Sequence, residues 1–542
     1  MKTTRLAVML LTLCLSIIMA ACGATPATPP SAQGGATAAP AAGAAAKPEE
    51  PFHISYYVNY DWFTPEPWGQ DQTSKWLQEN KGIVFDWVSS SGAAAAKLNT
   101  MIASGDLPDA MMLDRGADVE RLAEAKLIVP LDPYLPNSTL RKKLGDGVIN
   151  LLRSSDGKLY CFPNWYIAGD RGNGNSGWMI NTKIYEELGS PKLETFDDLT
   201  AYLRQVKQKY PDVVPLELGA KGTGFSVMMS GFAENFPIWF INLMAYPDGD
   251  QLKPLLASPV LKEALTYGSQ LFREKLISQD SFTQTRDQYM EKLKNGKAAV
   301  VAGVVATEGQ EALIDWKKQD PKAGYRVIWP IHKAGLDPQK IKVEGYSKLG
   351  WNCNVISAKA KDPAAIFSYL DWVTSDEGQR IAMFGPPGVM WELNQNGDVV
   401  PTEASKKMTD DDKKKVINGM YNLAGDTTYV DTTKTKMQLM LPEDQREFTT
   451  MAQYNVTWKT SMPVTEFEGI KPLPNTPEGV AFQSTVDLWS EYVPKVFFAK
   501  SDAEVGQLLE EAQKRSADAG FDKALQFMTA KWKKNRELLY AK

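Results

Sequence analysis

The sequence is poor in histidine and cysteine, the residues on which many metal centres and nucleophilic sites depend. Its 542 residues include two histidines, His53 and His332, and four cysteines. Two histidines exclude a histidine-rich metal site, and without a local motif beside them they argue against a Ser-His-Asp site. The sequence also contains no phosphate-binding GxxxxGK[ST] loop. These arrangements of catalytic and nucleotide-binding residues are therefore not predicted.

An excess of positive charge is lacking as well. Lys and Arg number 60 against 65 Asp and Glu, which gives a formal net charge of −5. A mildly acidic chain without a basic run has no general attraction for nucleic acid, so we predict no nucleic-acid partner. Hydrophobic residues at 43% and charged residues at 23% are ordinary values for a globular protein.

One glycine-rich segment, "GNGNSG" at 172–177, fits the letters of a dinucleotide-binding motif. Such a motif needs a helix directly after it, whereas the apolar "WMIN" that follows is typical of a strand. As a calcium loop starting at Asp170, the segment has Asn181 at its twelfth position, where glutamate is required. We interpret it as a flexible surface turn and predict neither a cofactor nor a metal.

The first residues have the pattern of an export signal. A short basic region precedes an apolar stretch from Leu6 to Ala21, whose 16 residues fall short of the roughly 20 that a spanning helix needs. The stretch ends in "MAAC", which resembles the lipobox of bacterial lipoproteins, in which the cysteine receives a lipid. We predict a lipoprotein signal peptide at 1–21 and lipidation at Cys22. An ordinary secretory signal cut after Ala21 is the alternative.

The segment that follows Cys22 has the composition of a tether. Residues 24–50 contain no aromatic and no large aliphatic side chain. They cannot bury enough apolar surface to offset the entropy of ordering, so a flexible linker is predicted. Residues 22–50, with their lipidated cysteine, would hold a folded body at the extracellular face of the cell membrane.

Two cysteines, Cys161 and Cys353, remain in the body of the chain once Cys14 leaves with the signal and Cys22 is lipidated. A pair in an exported protein can form a disulfide, but the spacing alone does not decide it. Each stands in an apolar, strand-like setting, "KLYCFP" and "LGWNCNVI". This setting favours buried free thiols.

The body alternates strand-like and helix-like segments. "FHISYYVNY", "IVFDWV" and "DAMML" are strand-like, and amphipathic helices are predicted between them. Thr195 to Asp198 has the pattern of a capping box that opens a helix. The alternation predicts an α/β fold with parallel sheets covered by helices. About 490 residues exceed what one core supports, so at least two domains are expected.

Aromatic residues carry the main functional signal. The sequence has 15 tryptophans, and several stand at strand ends or in loops beside amides and carboxylates. A sugar ring has an apolar C–H face and a rim of hydroxyls, which flat rings and polar neighbours complement. Core packing is the alternative for any single tryptophan, but as a group these residues favour a carbohydrate cleft. The candidate ligand-binding residues are Asn59, Asp61, Trp62, Trp165, Arg171, Trp239, Trp351, Asn352, Trp391 and Glu392.

Six segments of the body together carry a resemblance to a known family: "KLNTMIASGDLPDAMML" (97–113), "DGKLYCFP" (156–163), "WMINTKIYEELGSPKLETFDDLTAYL" (178–203), "NGKAAVVAG" (295–303), "DPAAIFSYLDWVTSDEGQRIAMFGPPGVMWE" (362–392) and the closing "GFDKALQFMTAKWKKN". They resemble the extracellular solute-binding proteins of family 1, the ligand-capturing lipoproteins of ATP-dependent sugar importers. The chain is most similar to the long oligosaccharide-type members from Gram-positive bacteria. Some long relatives carry a calcium loop after the helix that begins at "TFDDL", but here "KYPDVVPLEL" lacks the needed run of Asp and Asn, so we predict no calcium at that place.

The resemblance implies an α/β, two-lobe periplasmic-binding-protein-like fold of type II, similar to maltose-binding protein, with a hinge and an interlobe cleft. Lobe 1 would hold residues 52–165 and 331–375, and lobe 2 would hold 166–330 and 376–542. The chain would cross between lobes after "CFPNW", near "VIWPI" and near "VTSDEG". Such a protein is a monomer that captures an oligosaccharide without chemistry. It delivers the ligand to ABC permease subunits and their ATPase, which must be separate chains.

Two other functions remain open at the level of sequence. A surface-anchored, polysaccharide-degrading enzyme would need two carboxylates at a set separation, and acidic pairs are numerous in this chain. The same fold could also bind a peptide or a signalling ligand, because Arg171 and the acidic candidates can pair with charged termini.

Overall fold

The computed structural model describes residues 50–169 and 171–540. The predicted signal peptide, Cys22 and the linker up to residue 49 lie outside the described residues.

Strands and helices alternate along the described chain. The strands are β1 Phe52–Val58, β2 Ile83–Val88, β3 Ala110–Leu113, β4 Phe162–Asn164, β5 Gly177–Asn181, β6 Val214–Glu217, β7 Ala245–Asp248, β8 Gln251–Pro254, β9 Ala298–Gly303, β10 Tyr325–Ile328, β11 Glu344–Tyr346, β12 Asn352–Ile356, β13 Trp391–Leu393, β14 Val399–Pro401 and β15 Ser461–Pro463. The helices are α1 Gln72–Lys81, α2 Ala94–Ser104, α3 Ala117–Glu124, α4 Thr139–Asn150, α5 Thr182–Glu187, α6 Phe196–Lys209, α7 Phe225–Ser230, α8 Trp239–Leu243, α9 Pro259–Arg273, α10 Arg286–Lys294, α11 Val305–Gln319, α12 Pro363–Val373, α13 Asp376–Phe384, α14 Asp410–Val416, α15 Thr427–Leu439, α16 Phe448–Ala452, α17 Pro477–Phe497, α18 Asp502–Asp518 and α19 Phe521–Tyr540.

The first sheet is built from strands that the hydrophobic runs predict. Its order is β2-β1-β3-β12-β4, with β1 parallel to β2 and β3 and with β12 antiparallel to β3 and β4. All four residues of β3 and all five of β12 are buried, as expected for strands covered on both faces. We call this sheet and the core packed on it the first lobe.

The second sheet has the order β10-β5-β9-β6, with β6 parallel to β9 and β5 antiparallel to both β9 and β10. The predicted capping box is confirmed at the start of α6. The Thr195 hydroxyl accepts from Asp198 N at 3.2 Å, and the Asp198 carboxylate accepts from Thr195 N at 2.9 Å. We call this sheet and its core the second lobe.

The packing corrects the lobe boundaries expected at 331 and 376. Ile331 and Val343 are buried in the core of the second lobe, whereas Ile381 and Tyr421 are buried in the core of the first. Periodicity locates an element but not the core into which its apolar face packs, and α12 and α13 both contribute to the core of the first lobe. The crossings expected near "VIWPI" and "VTSDEG" are therefore wrong.

The chain passes between the two sheets at other places. It leaves the first sheet after β4 and enters the second at β5, and it returns between β11 and β12. Helices α15 and α16 form the third passage, because α15 packs on α13 whereas α16 packs on α11. These three segments are called the crossings below.

Cys161 and Cys353 form a disulfide, with their Cα atoms 5.5 Å apart. The interpretation as free thiols was wrong because β4 and β12 are neighbours in the sheet, which sequence separation does not reveal. The bridge ties two antiparallel strands of the first lobe.

Two negative findings concern the described ranges only. No helix in them is long and apolar enough to cross a membrane. They also contain no group of three or more His, Cys, Asp or Glu side chains that is able to hold a metal ion.

Candidate ligand-binding site

Four strands of the first sheet bring candidate residues to one edge. Strands β1 and β3 run parallel and end at Val58 and Leu113, so the residues that follow them leave the sheet on the same side. The antiparallel strand β12 begins there, since Cys353 pairs with Leu113. Asn352 in turn pairs with Asn164, the last residue of β4. Ligands of open α/β sheets bind outside this carboxyl edge.

Three aromatic rings stack at this edge. The centroid of the Tyr60 ring lies 5.4 Å from that of Trp62 and 4.9 Å from that of Trp351, and the interplanar angles are 18° and 28°. Trp62 and Trp351 stay 58% and 48% exposed, which is unusual for such large apolar side chains. We call Tyr60, Trp62 and Trp351 the aromatic platform.

Hydrogen bonds fix the loop that carries two of these rings. The Tyr60 hydroxyl donates to Asp114 Oδ1 at 2.6 Å, and Asp61 Oδ1 accepts from Ala94 N at 2.7 Å at the start of α2. Burial raises the pKa of the Tyr60 phenol, and Asp114 raises it further. The Tyr60 ring therefore stays neutral and in place at physiological pH.

Buried amides lie beneath the platform. Asn352 is fully buried and close enough to the Tyr60 hydroxyl to lower its pKa, although neither of its amide atoms has a partner in hydrogen-bond geometry within the described ranges. Asn164 Oδ1 accepts from Trp165 N at 2.8 Å and Gly425 N at 2.6 Å, while its Nδ2 is unpartnered among the described residues. Unpaired buried amides are costly and uncommon in folded proteins.

Trp165 is held in an uncommon backbone conformation directly after β4. Its φ of 55° lies in the left-handed region, which a bulky residue rarely adopts. The surrounding structure must offset this strain, and such strain is concentrated at functional sites. The side chain is half-buried at the start of the first crossing.

Arg115 joins the platform to the second lobe. Its Nη1 donates to the carbonyl oxygens of Leu349 and Gly350 at 3.1 and 2.8 Å, next to Trp351. Its Nη2 donates to Glu468 Oε1 at 3.0 Å, and both side chains are mostly buried. Glu468 belongs to the second lobe, where its neighbours Phe467 and Ile470 are core residues. This ion pair therefore spans the two lobes.

Arg171 lies in the first crossing and is paired within the protein. Its Nη2 donates to Asp431 Oδ2 at 2.5 Å, and its guanidinium stacks 3.9 Å from the centroid of the Trp458 ring. Burial raises the pKa of Asp431, and Arg171 opposes that rise. Arg171 Nε and Nη1 are buried and without a hydrogen-bond partner among the residues described.

The "GNGNSG" segment leads into a strand, as predicted, but it is not a free surface turn. Glu344 Oε2 accepts from the backbone N–H groups of Asn175 and Ser176, each at 2.7 Å. Burial raises the pKa of Glu344, and these two bonds oppose the rise. A Cβ at Gly172 would lie 2.2 Å from the Trp458 carbonyl oxygen, so the segment is tightly packed.

The remaining candidates do not join the platform. Trp391 is 4% exposed in the core of the first lobe, and its indole N–H donates to the Gly385 carbonyl at 2.8 Å. The prediction that Trp391 binds ligand is therefore wrong, because its apolar surface and its donor are both used in packing. Glu392 is exposed on the β13–β14 hairpin. Trp239, half-buried in α8 of the second lobe, has an indole N–H without a partner in the described chain.

Sequence reasoning missed four residues of this site: Tyr60, Asp114, Arg115 and Glu468. Tyr60 lies within the "NYDWF" segment, and counting tyrosines with tryptophans would have found it. Asp114 and Arg115 directly follow the apolar strand β3, a position that the sequence alone also reveals. Glu468 has none, because its approach to Arg115 depends on how the lobes meet.

An exposed aromatic platform, unpaired buried amides and an ion pair across two α/β lobes define a ligand-capturing protein of the two-lobe class. The chain belongs to the family of bacterial extracellular solute-binding proteins, whose model matches residues 73–387. This family consists of binding proteins rather than enzymes.

Two curated relatives are similar in sequence. The fructooligosaccharide ABC transporter substrate-binding protein FusA of Streptococcus pneumoniae is 28% identical over 253 residues, which cover 41% of this chain and 44% of FusA. The chain thus matches less than half the length of that relative. Lipoprotein LipO of Bacillus subtilis is 24% identical over 375 residues, covering 66% of this chain and 70% of LipO.

Solved structures share the fold. Alginate-binding protein AlgQ2 superposes with a TM-score of 0.64 at 18% identity, over 90% of this chain and 98% of AlgQ2. A solute-binding protein of Bifidobacterium longum infantis, described as binding HMO, gives 0.63 at 16% identity, over 91% and 99%. These similarities confirm the predicted two-lobe α/β fold.

Proposed function

We propose that this protein captures an oligosaccharide between its two lobes and delivers it to an ABC permease. The observation that carries the proposal is the aromatic platform, which presents Trp62 and Trp351 to solvent beside the Arg115–Glu468 contact between the lobes. Stacked rings complement the C–H face of a sugar, and the neighbouring amides and carboxylates complement its hydroxyls.

The names of two relatives agree with a saccharide ligand. FusA is named for fructooligosaccharides, and a third relative, MelE of Bacillus subtilis, is named for melibiose, raffinose and stachyose. Under this proposal Asn59, Asp61, Trp165, Trp239 and Asn352 complete the site around the platform, and Arg171 stiffens the hinge. Glu392 keeps its proposed contact only with a ligand long enough to reach the β13–β14 hairpin.

Binding is coupled to closure in this mechanism. A ligand shifts the equilibrium between open and closed forms only through contacts that differ between them. A saccharide that rests on the platform and touches the second lobe favours the closed form, as does the Arg115–Glu468 pair. The closed surface is then recognised by permease subunits, whose ATPase is a separate chain. Lipid attached to Cys22 would keep this monomer at the extracellular face of the membrane.

The proposal is tested by tryptophan fluorescence during titration with neutral oligosaccharides. The titrated protein is Glu50–Lys542, which forms one compact unit. We expect a saturable change with one sugar class, and Trp62→Ala or Trp351→Ala should weaken binding by roughly tenfold or more, since stacked aromatic contacts contribute about 1 kcal/mol beyond area burial.

Trp76→Ala is the matched control. Trp76 lies half-buried on helix α1 and is likewise stacked, with its ring centroid 6.3 Å from that of Trp372. Its loss should leave affinity unchanged. Equal weakening by all three substitutions, or the absence of any saturable response from folded protein, would contradict the proposed function.

A further inference from the structure

Both side chains that hold the loop of the aromatic platform in place through hydrogen bonds are carboxylates. Asp61 stands between Tyr60 and Trp62 in the chain, and Asp114 accepts a hydrogen bond from the Tyr60 hydroxyl. Both carboxylates belong to exposed residues at the carboxyl edge of the first sheet. A ligand lying on the rings therefore meets negative charge from this side.

The guanidinium nearest to the platform is already neutralised. Arg115 is next to Asp114 and holds the backbone at Gly350, one residue before Trp351. Its remaining Nη2 is bonded to Glu468 across the lobes at 3.0 Å. The groups named so far are the carboxylates of Asp61, Asp114 and Glu468 and one guanidinium, which Glu468 and the backbone already engage.

The guanidinium in the first crossing is compensated in the same way. Arg171 is bonded to Asp431 at 2.5 Å and stacked on Trp458, which leaves Nε and Nη1 as unpaired donors among the described residues.

We infer that the site selects uncharged saccharides and rejects those that carry carboxylates. The inference rests on the proposed function and specifies its ligand class. A uronate lying on the rings would meet the carboxylates of Asp61 and Asp114.

The test compares two oligosaccharides of the same linkage and length that differ only by oxidation of C6 to the carboxylate. Calorimetric titration of Glu50–Lys542 should show the neutral ligand binding at least about tenfold more tightly, as expected where like charges meet at an interface. Raising the ionic strength should reduce this difference in affinity, because salt weakens the repulsion between the acidic ligand and the exposed carboxylates. It should have little effect on the affinity for the neutral ligand.

Asp61→Asn and Asp114→Asn test the cause. Each keeps an acceptor oxygen for Ala94 N or the Tyr60 hydroxyl, so the platform keeps its support while losing negative charge. We expect the double variant to reduce the affinity ratio between the neutral and the acidic ligand several-fold, whatever its effect on the affinity for the neutral ligand. Asp518→Asn, an exposed carboxylate of α18 paired with Lys514, is the matched control and should change neither.

The outcomes distinguish failure of the charge selection from failure of the proposed function. An acidic ligand that binds as tightly as its neutral counterpart, or a gap that neither salt nor the double variant narrows, would overturn the charge selection and leave the proposed function intact. No binding of either ligand, nor of any other oligosaccharide, by folded protein would overturn the proposed function itself.

Discussion

At the level of single residues, the Lys292 side chain stabilises a buried carboxylate in the second lobe. Its ammonium lies 3.2 Å from Glu217 Oε2, 2.7 Å from Asp280 Oδ1 and 2.6 Å from Gln284 Oε1. Glu217 is fully buried, and burial raises its pKa while Lys292 opposes the rise. Gln284 also donates to the Gly219 carbonyl at 2.9 Å, so the cluster fixes the loop after β6.

Lys292→Met should destabilise the protein by about 3 to 5 kcal/mol in urea unfolding at neutral pH, because it leaves a buried charge without its partner. Without Lys292, the pKa of Glu217 in the folded protein would be still higher. The folded protein would then bind this proton more tightly than the unfolded chain, which favours folding at low pH. This contribution to stability is lost as the pH rises through the folded-state pKa. The variant should therefore lose more stability at pH 8 than at pH 5.

Lys514→Met is the control for this substitution. Lys514 pairs with Asp518 on the exposed face of α18, where an ion pair contributes under about 1 kcal/mol. Similar losses for both lysines would show that the Glu217 cluster does not depend on its cation.

At the level of secondary-structure elements, the second crossing depends on close backbone contact. Gly350 has a φ of 75°, and a Cβ there would lie 2.2 Å from the Asn164 carbonyl oxygen. The crossing that ends in β12 thus runs directly against the end of β4. Trp351, the next residue, is positioned by this approach.

Gly350→Ala should cost about 2 to 4 kcal/mol in thermal or urea unfolding, since backbone strain and a steric clash act together. It should also weaken saccharide binding because Trp351 must shift. Gly335→Ala separates backbone strain from the steric clash, since Gly335 has a φ of 88° and open space around its Cβ position. If both substitutions cost the same, close packing of the crossing is not what requires Gly350.

The helices and strands were largely predictable from the sequence, but the elements with which they pack and pair were not. The strands "IVFDWV" and "KAAVVAG" and the capped helix at Thr195 follow from periodicity and local hydrogen bonding, which the neighbouring sequence contains. The burial of α13 in the core that also contains β1 to β3 depends on packing with segments remote in sequence, and the disulfide of Cys161 with Cys353 joins residues separated by 192 positions. Local patterns carry no information about such pairings.

At the level of the whole molecule, the Arg115–Glu468 pair links the lobes next to the platform. Both side chains are mostly buried, so salt screens the pair less than a surface ion pair. Glu468 is anchored on its own side, because its carbonyl oxygen accepts from Asn535 Nδ2 at 2.7 Å in α19. Separation of the lobes at this point must break the pair.

Glu468→Ala should shift the unliganded protein toward the open form and weaken neutral saccharide binding by about tenfold, as expected for a charge-assisted hydrogen bond. Small-angle scattering should show a larger radius of gyration without ligand and the same compact form at saturation. Glu491→Ala removes an exposed carboxylate paired with Lys495 and should change neither quantity. Unchanged affinity and radius in the Glu468 variant would show that the pair does not contribute to closure.

The sequence by itself determined the α/β class, the alternation of strands and helices and the aromatic character of the site, because these properties depend on composition, periodicity and segment ends. It also placed Asn59, Asp61 and Trp62 on one loop, since they follow one strand. Only the tertiary structure decided that Trp351 stacks on Tyr60, that Trp391 is buried in the core, and that Arg115 reaches Glu468. Each of these contacts joins segments remote in the chain, and their proximity follows from strand order and lobe packing rather than from the residues next to them.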